Sequence, residues 1–454
     1  MSATEMLEEM TEAVREQTGW RSIPLGETGK YINGLAFKPT DWGDDGLPII
    51  RIQNLTDPTK PLNRTTRAVD PAYVVNPGDI LVSWSATLDA FIWNREPALL
   101  NQHIFKVIPD TRVVTKKFLF YTLKKAIAEM VKSEHLHGST MKHINRGPFL
   151  AHRVDVPSLE IQEVVVAELE KQFSRLDEAV ANLQRVKANL KRYKAAVLKA
   201  AVEGRLVETE AELARREGRS YETGEQLLQR ILEERRAKWA GKGEYKVPVA
   251  PVTSDLPVLP EGWVWATLPQ LGELNRGKSK HRPRDDEALY GGPYPFIQTG
   301  DVRRSDGSIT EFTQTYSEFG LAQSRLWPAG TLCITIAANI AETGILKLEA
   351  CFPDSIVGFI PSLGSPTVEY VECFIRTARE GLDRYASATA QKNINLEVLE
   401  AVAIPVPPFT EQVRIVAEVD RHLSISREVE AEVDTNLQRA QSLRQATLAK
   451  AFTA

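Results

Sequence analysis

The sequence repeats itself at long range, and this repeat constrains the fold more than any other feature. The stretch GSTMKHIN at residues 138–145 returns as ATAQKNIN at residues 388–395, an offset of 250 (388 − 138 = 250). VDVPSLEIQEVVVAELEKQF, from Val154, returns as IPVPPFTEQVRIVAEVDRHL from Ile404. Shorter matches pair TGW with EGW, Ile52-Gln53 with Ile297-Gln298, and NPGDILVS with PAGTLCIT. The 454 residues therefore contain two copies of one large unit.

Each copy ends in a segment whose apolar residues follow a helical seam. No proline occurs from Gln162 to about Glu203, and apolar residues recur there in a 4-3-4-3 spacing at Leu169, Phe173, Leu176, Val180 and Leu183. From Glu411 onward a weaker stripe comprises Val419, Leu423, Val429, Val433, Leu437, Ala440 and Leu443. This pattern predicts long helices that pack lengthwise on another helix. We expect them to pair antiparallel; the alternative is two unrelated amphipathic helices, each on its own domain.

Each copy begins with mixed signals that predict an α+β unit. LPIIRIQNL, GDILVSWS, PFIQTGDV and GTLCITIA predict strands, and FLFYTLKKAIAEMVKS and VEYVECFIRTAREGLDRY predict helices. Between the copies, a charged stretch predicts a short helix or two at the surface, and VPVAPVTSDLPVLPEGW predicts extended chain. The predicted segments are 1–18 (N-terminal segment), 19–153 (first globular unit), 154–206 (first long helix), 207–261 (linker), 262–403 (second globular unit) and 404–454 (second long helix).

Composition limits the classes of partner and compartment. The net charge is −4, so nucleic-acid binding would have to use local basic patches such as RGKSKHRPR at residues 276–284, whose alternative is a solvated loop. The three cysteines lack C-x-x-C spacing, which argues against a zinc site or a disulfide framework and fits a reducing cytoplasm. The N-terminus has no apolar signal region, and no apolar run is long enough for a membrane helix. We therefore expect a cytoplasmic protein.

The sequence shows no complete catalytic constellation. It contains no G-x-G-x-x-G or H-E-x-x-H, and VPPF at residues 406–409 has valine where an N/D-P-P-F/Y motif needs a polar group. His135 and His137 are predicted to be polar surface groups rather than metal ligands. The polar residues of the first repeated motif have two open interpretations. They either satisfy backbone groups in a turn or hold phosphate oxygens.

The order and duplication of these motifs resemble one family. Two α+β units, each ending in the motif [GA]-[ST]-x-x-K-x-I-N and followed by a V-P junction and a long helix, are similar to the specificity subunit of type I restriction-modification enzymes. IPVPPFTEQVRIVAEVDRHL followed by LRQATLAKAF, and GRSYETGEQLLQRILEERRAKW as a central spacer, carry the resemblance over nearly the whole chain. The first copy departs at SLEIQE, where the second has PFTEQV, and at Met141, where the second has Gln391. This leaves the backbone at the first junction open.

The resemblance implies a DNA-reading subunit without catalysis of its own. Its α+β fold would comprise two pseudo-symmetric target recognition domains separated by two long antiparallel helices that form a coiled-coil spacer. Partners would be double-stranded DNA, two methyltransferase (modification) subunits and two restriction/motor subunits. S-adenosylmethionine, ATP and Mg would bind those subunits, and this chain would bind no cofactor or metal. Two different readers on one spacer predict an asymmetric bipartite target with an unread gap. The alternatives are a two-headed coiled-coil interaction scaffold and an enzyme with a nonstandard site.

Candidate DNA-binding residues follow from the side chains that pair with base edges, namely Arg with guanine and Asn or Gln with adenine. In the first domain they are Arg51, Gln53, Asn54, Ser83, Ser85, Thr87, Ser139, Thr140, Lys142, His143 and Asn145. In the second they are Lys278, Lys280, Arg282, Gln298, Thr299, Asp301, Arg303, Asn339, Gln391, Lys392, Asn393 and Asn395. Lys142 and Lys392 occupy matching positions and suit phosphate contacts common to both half-sites.

Overall fold

The chain divides into two units whose boundaries fall inside the two long helices. The computed structural model describes residues 20–132, 143–240, 244–337, 340–365, 367–387 and 394–452, so the predicted N-terminal segment 1–18 lies outside the described residues. Unit 1 comprises Met1–Gln184 and Asp434–Ala454, and unit 2 comprises Arg185–Val433. The predicted two-copy organisation is thus present, with each unit drawing on both long helices.

Unit 1 contains two four-stranded sheets and a two-stranded ribbon. The sheets have the orders β2-β9-β6-β7 and β4-β3-β8-β5, and the ribbon pairs β1 with β10. The strands are β1 Arg21–Pro24, β2 Gly29–Asn33, β3 Leu47–Ile50, β4 Asn63–Thr65, β5 Val74–Val75, β6 Ile80–Ser83, β7 Asp89–Ile92, β8 Ala98–Leu100, β9 Ile104–Pro109 and β10 Arg153–Val156. The helices are α1 Ile52–Thr56, α2 Lys116–Lys132, α3 Arg146–Ala151 and α4 Leu159–Val202, of which α4 continues into unit 2.

Unit 2 repeats this architecture and extends it. Its main sheet has the order β12-β18-β16-β17-β14, whose first four strands match β2-β9-β6-β7. The strands are β11 Val264–Thr267, β12 Gly272–Arg276, β13 Tyr290–Phe296, β14 Gly307–Ile309, β15 Gln314–Tyr316, β16 Leu332–Thr335, β17 Thr343–Leu346, β18 Ile356–Pro361 and β19 Ala403–Val406. The helices are α5 Glu210–Glu217, α6 Gly224–Ala237, α7 Leu268–Leu271, α8 Thr299–Arg304, α9 Glu318–Ala322, α10 Thr367–Ser387, α11 Leu396–Ala401 and α12 Phe409–Ala451.

The long helices α4 and α12 run antiparallel, as predicted. Within unit 1, the Arg444 guanidinium of α12 pairs with Asp177 of α4 and lies 4.3 Å from the centroid of the Phe173 ring. Within unit 2, Lys194 Nζ of α4 lies 2.9 Å from Glu430 Oε2 of α12. Asp177 of α4 therefore contacts Arg444 of α12, whereas Lys194, farther along α4, contacts Glu430, which precedes Arg444 in α12.

One member of the predicted stripe on α12 does not face the seam. Leu443 is 54% exposed, whereas Leu448 packs against the core of unit 1. At about 100° per residue, Leu443 lies roughly 160° around the helix from Leu423, and Leu448 only about 20°. The predicted stripe does not follow the buried face of α12 as far as Leu443, so its assignment at Leu443 was wrong.

The predicted strands LPIIRIQNL and PFIQTGDV each end early and turn into a short helix. Asn54 Oδ1 accepts from the backbone N of Arg51 (3.1 Å), and Asp301 Oδ2 accepts from the backbone N of Gln298 (2.8 Å). Each side chain thereby caps the first turn of a short helix by bonding to the backbone three residues before it. Arg51 is therefore the structural equivalent of Gln298 (298 − 51 = 247), which corrects the sequence alignment by two residues.

Two predicted segment boundaries also shift. β10 and β19 pair with β1 and β11, so the residues assigned to the starts of the long-helix segments at 154 and 404 belong to strands of the globular units. The linker holds two helices, as predicted. However, α6 does not lie wholly at the surface, because one of its faces is buried. Leu227 is 0% and Ile231 1% exposed in the core of unit 2, because the amphipathic face of α6 packs inward.

Each long helix is fastened to its globular unit by a fully buried glutamine in the first turn. Gln162 Oε1 accepts from Thr115 N (2.7 Å), and its Nε2 donates to the carbonyls of Val113 (2.9 Å) and Pro157 (3.0 Å). Gln412 accepts from Thr367 Oγ1 (2.9 Å) and donates to the carbonyl of Pro407 (3.0 Å). The two junctions therefore share a buried glutamine with equivalent hydrogen bonds, although their neighbouring residues differ.

Replacing Gln162 with leucine should lower the free energy of unfolding of unit 1 by about 3 kcal/mol, because the backbone donor of Thr115 and two carbonyls would stay buried without partners. Urea unfolding would measure the change. The matched control is Gln172→Leu on the same helix, where the amide makes one side-chain bond, to Glu168. We expect that control to cost less than about 1 kcal/mol. Equal losses in the two variants would contradict the assignment.

Candidate nucleic-acid interface

The turn after β3 in unit 1 presents Arg51 and Gln53 and hides Asn54. Asn54 is 3% exposed, and its Nδ2 donates to the carbonyls of Lys60 (3.2 Å) and Pro61 (3.1 Å). Its amide is thus used within the protein, and we leave Asn54 out of the interface. Gln53 is exposed.

Arg51 is held in a way that keeps its hydrogen-bond donors available. Its guanidinium carbon lies 5.3 Å from the centroid of the Trp42 ring, which is itself 38% exposed. Within the described residues the guanidinium forms no hydrogen bond or ion pair, so its N–H donors are available. Those donors are the groups that pair with O6 and N7 of guanine.

The three hydroxyl residues around the end of β6 divide into buried and exposed. Ser83 is 1% exposed and donates to the carbonyl of Ser85 (3.1 Å), and Ser85 is 6% exposed and forms a backbone bridge with His143. These placements argue against direct base contacts by Ser83 and Ser85, so we leave both out. Thr87 is exposed and remains a candidate.

The described end of the repeated motif has a structural role in both units. The backbone N of Ile144 donates to the carbonyl of Trp84 (3.0 Å), that of Ile394 donates to the carbonyl of Ile336 (3.2 Å), and both isoleucines are 2% exposed. Asn145 and Asn395 directly precede α3 and α11. The Asn395 side chain accepts from the backbone N of Val398 (3.0 Å). The Asn395 side chain is therefore accounted for as a helix cap. Asn145 is exposed and its side chain makes no capping hydrogen bond, so it remains a candidate.

Both copies of the repeated motif extend beyond the described residues. The following lie outside the described residues: Ser139, Thr140, Lys142, Asn339, Gln391, Lys392 and Asn393, together with His135 and His137. Phosphate binding by the two motif lysines stays a prediction.

The basic stretch at residues 276–284 begins at the last residue of β12 and continues as a loop with a fixed backbone and exposed cations. The main-chain N–H groups of Gly277 and Lys278 donate to the carbonyls of Ile356 (2.8 Å) and Phe352 (3.1 Å), and that of Lys280 donates to Gln323 Oε1 (2.5 Å). Lys278 and Lys280 are exposed, and in the described part of the chain neither ammonium group takes part in an ion pair. Two free cations on a fixed backbone are suited to phosphate oxygens.

The rest of the loop is partly neutralised. Arg282 is exposed, and its Nη1 donates to the carbonyls of Ser279 (2.8 Å) and His281 (2.7 Å). Arg284 pairs with Asp354 (3.0 Å). Hydrogen bonds from the backbone N of Ala288 and from His281 hold the pKa of Asp286 below its usual range, so this carboxylate stays charged and offsets one cation. Arg284 and Asp286 therefore account for the neutralised part of the loop, whereas Lys278, Lys280 and Arg282 form no ion pair within the described residues.

The turn after β13 presents Gln298 beside a residue that the sequence did not single out. Gln298 is exposed, and its Nε2 donates to Gln314 Oε1 of β15. Asp301 is 5% exposed and accepts from Arg304 Nη2 (2.5 Å) and Thr313 Oγ1 (3.1 Å), so we leave it out of the interface. Thr299 is half-buried and Arg303 is exposed.

A shallow cleft of about 590 Å³ joins the basic loop to Gln314. It is lined by Arg284, Asp285, Glu287, Tyr290, Gly291 and Gln314. The cationic, amide and carboxylate groups together provide the donors and acceptors that base edges require. Within the described ranges, no group of three or more His, Cys, Asp or Glu side chains could hold a metal ion, and no helix there has the length and apolarity to cross a membrane.

Comparisons with known proteins agree on one family. The family model described as the type I restriction modification DNA specificity domain matches residues 17–191 and 260–437. The EcoBI specificity subunit of Escherichia coli is 24% identical over 95% of this chain and 85% of its own length. The EcoKI specificity subunit of Escherichia coli strain K12 is 22% identical over 96% and 88%. A solved chain of a type I R-M system, 18% identical, superposes with a TM-score of 0.61 over 96% of this chain and 98% of its own.

Proposed function

This chain belongs to the type I restriction-modification DNA specificity family, and on that premise we propose that each of its units reads one half of an asymmetric bipartite DNA target. The unread gap between the halves would be set by the paired helices α4 and α12. The family supplies the role of DNA-recognition component. The division into two half-sites is our inference from the duplicated architecture.

One observation carries the proposal: equivalent positions of the two units hold different side chains that can pair with bases. Arg51 in unit 1 and Gln298 in unit 2 both precede a short helix, and both are fixed by a side chain three residues later. The scaffolding of the turn is therefore the same in the two units. Arg pairs with guanine and Gln with adenine, so the same turn would read a different base in each half-site.

The complex around the chain follows from the family and is proposed here in its detail. Two modification subunits would dock on the paired helices and methylate adenine with S-adenosylmethionine. Two restriction/motor subunits would join them and use ATP and Mg. We further propose a cytoplasmic location, where the buried free thiols of Cys333, Cys351 and Cys373 would remain reduced.

Selection of bound duplexes from a random pool tests the proposal directly. The chain would be co-expressed with its neighbouring modification subunit, because a specificity subunit acts within a complex. We expect two short, different motifs at one fixed gap. A pool that stays random while the complex remains intact would instead support the two-headed scaffold.

Replacing both Lys278 and Lys280 with alanine should weaken binding to every DNA sequence and reduce the slope of log affinity against log salt by about two, because each phosphate contact contributes roughly one. The selected motifs should not change. Titration at four salt concentrations would measure the slope. The matched control is Lys238→Ala with Lys246→Ala, two exposed lysines outside the loop in unit 2. An unchanged slope in the loop variant would remove both lysines from the interface.

A further inference from the structure

Gln298 and Gln314 form a single hydrogen-bonded amide pair at the surface of unit 2. Nε2 of Gln298 donates to Oε1 of Gln314. Gln298 is exposed and Gln314 is half-buried. Within the described residues, neither side-chain amide has a second hydrogen-bond partner. The pair therefore has unused donors and acceptors.

The unused groups are complementary to adenine whichever way the amides are turned. An amide has one oxygen acceptor and two N–H donors. When one amide donates to the other, the donor amide keeps a free oxygen and the acceptor amide keeps a free NH₂ group. Exchanging O and N in both side chains only reverses which residue supplies which group. An adjacent acceptor and donor match the N6–H₂ donor and N7 acceptor of adenine in the major groove.

Strand pairing and hydrogen bonds within unit 2 fix the backbone on both sides of the pair. Gln314 lies in β15 opposite Phe296 of β13, two residues before Gln298. Asp301 joins the two sides, because it accepts from the backbone N of Gln298 and from Thr313 Oγ1, next to Gln314. The backbone positions of both glutamines are thus fixed. A reader that is already ordered loses less conformational entropy when it binds.

The pair also lies next to the basic loop, so one DNA segment would bring a phosphate to the loop and a base edge to the pair. Gln314 lines the shallow cleft with Tyr290 and Arg284, and Arg284 belongs to the basic loop. Cations in this loop would position a DNA backbone beside the cleft. We propose that Gln298 and Gln314 act as one composite reader of an adenine in the half-site read by unit 2. This inference rests on the proposed function.

The substitution Gln314→Glu gives the sharpest test. A carboxylate only accepts hydrogen bonds, so Gln298 must donate to it, and the outward groups become two acceptors. Cytosine offers the N4–H₂ donor that such acceptors bind. We expect the preference for adenine at one position of one half-site to fall by on the order of tenfold or more, with cytosine favoured there instead. The other half-site and the gap should not change.

Gln298→Glu provides an independent check, because the pair should lose its donor in the same way whichever amide is replaced. Both variants should therefore shift the same position to the same base. Gln229→Glu, on the exposed face of α6, is the matched control and should leave the selected motif as it is.

The outcomes separate this inference from the proposed function. A native complex that selects no bipartite motif would overturn both. A native complex that selects two half-sites, with the Gln→Glu variants selecting the same bases, would overturn the composite reader alone. Weaker binding without any change of base, together with a lower urea midpoint, would show that the pair is structural and would also overturn it.

Discussion

Exchanging residues 19–156 for the corresponding domain of another family member is expected to change one half of the selected target completely and to leave the other half intact. β1 pairs with β10 in a two-stranded ribbon, so both strands should travel with the domain. Each mismatched base pair costs about 1–3 kcal/mol, so a half-site of several changed bases should lower affinity for the original target by about a thousandfold or more.

The reciprocal exchange of residues 264–406, which spans the ribbon of β11 and β19, is the matched experiment. It should change the opposite half-site. Selection from a random pool with each chimaera, beside the native complex, gives both answers. If either exchange altered both half-sites, independent reading by the two units would be refuted.

Replacing Glu210 with alanine should lower the free energy of unfolding of unit 2 by about 2 kcal/mol. The Glu210 side chain is 2% exposed and pairs with Arg414 Nη1 of α12 (2.5 Å) and with Arg219 Nη1 (2.6 Å). The contact with Arg414 joins the start of α5 to the second turn of α12. Both arginines are about one-third or more exposed, so water compensates part of the loss. Faster hydrogen exchange in α5 should accompany the lower urea midpoint.

The pH dependence of this effect has a definite sign. Burial opposes ionisation of Glu210, but hydrogen bonds from Arg414 and Arg219 outweigh it and place the pKa below the ordinary value of 4.5. The stabilisation is therefore present in full above pH 4.5 and is lost as the pH falls through the folded pKa. The difference between native and variant should be largest at neutral pH and shrink below pH 4.5.

Glu217→Ala is the control for Glu210. Glu217 is on the same helix and contacts the same Arg219, but its side chain is 48% exposed. An exposed ion pair contributes about 0–1 kcal/mol, so this variant should stay close to the native midpoint. A loss as large as that of Glu210→Ala would show that burial does not govern the effect.

The sequence predicted the features of the fold that rest on long periodic patterns. The seam from Leu169 to Leu183 repeats often enough to identify a paired helix, and the predicted helices at α2 and α10 lie within two residues of the observed ones. Strand ends were harder, because a single hydrogen bond decides them. Asn54 and Asp301 end the strands before them by bonding to a backbone three residues earlier, which residue type alone does not distinguish from continued strand.

For a related reason, the sequence could not separate the buried from the exposed residues among the DNA-binding candidates. Small polar residues at strand ends can face DNA or satisfy the turn, and only packing separates Ser83 and Asp301, which are buried, from Thr87 and Gln298, which are exposed. Gln314 was missed because its partnership with Gln298 depends on the pairing of β13 with β15. No local pattern in the sequence encodes that cross-strand neighbour.

The way the chain is shared between the units affects the order in which the protein forms during synthesis. Unit 2 is one continuous stretch, Arg185–Val433, whereas unit 1 is interrupted by it. Phe452 is 1% exposed and packs against Phe118, with 4.8 Å between ring centroids. The ribosome therefore makes most of unit 1 first but delivers its last core residues only after unit 2 is complete. Unit 1 thus cannot complete its core until residues that follow the whole of unit 2 have been synthesised.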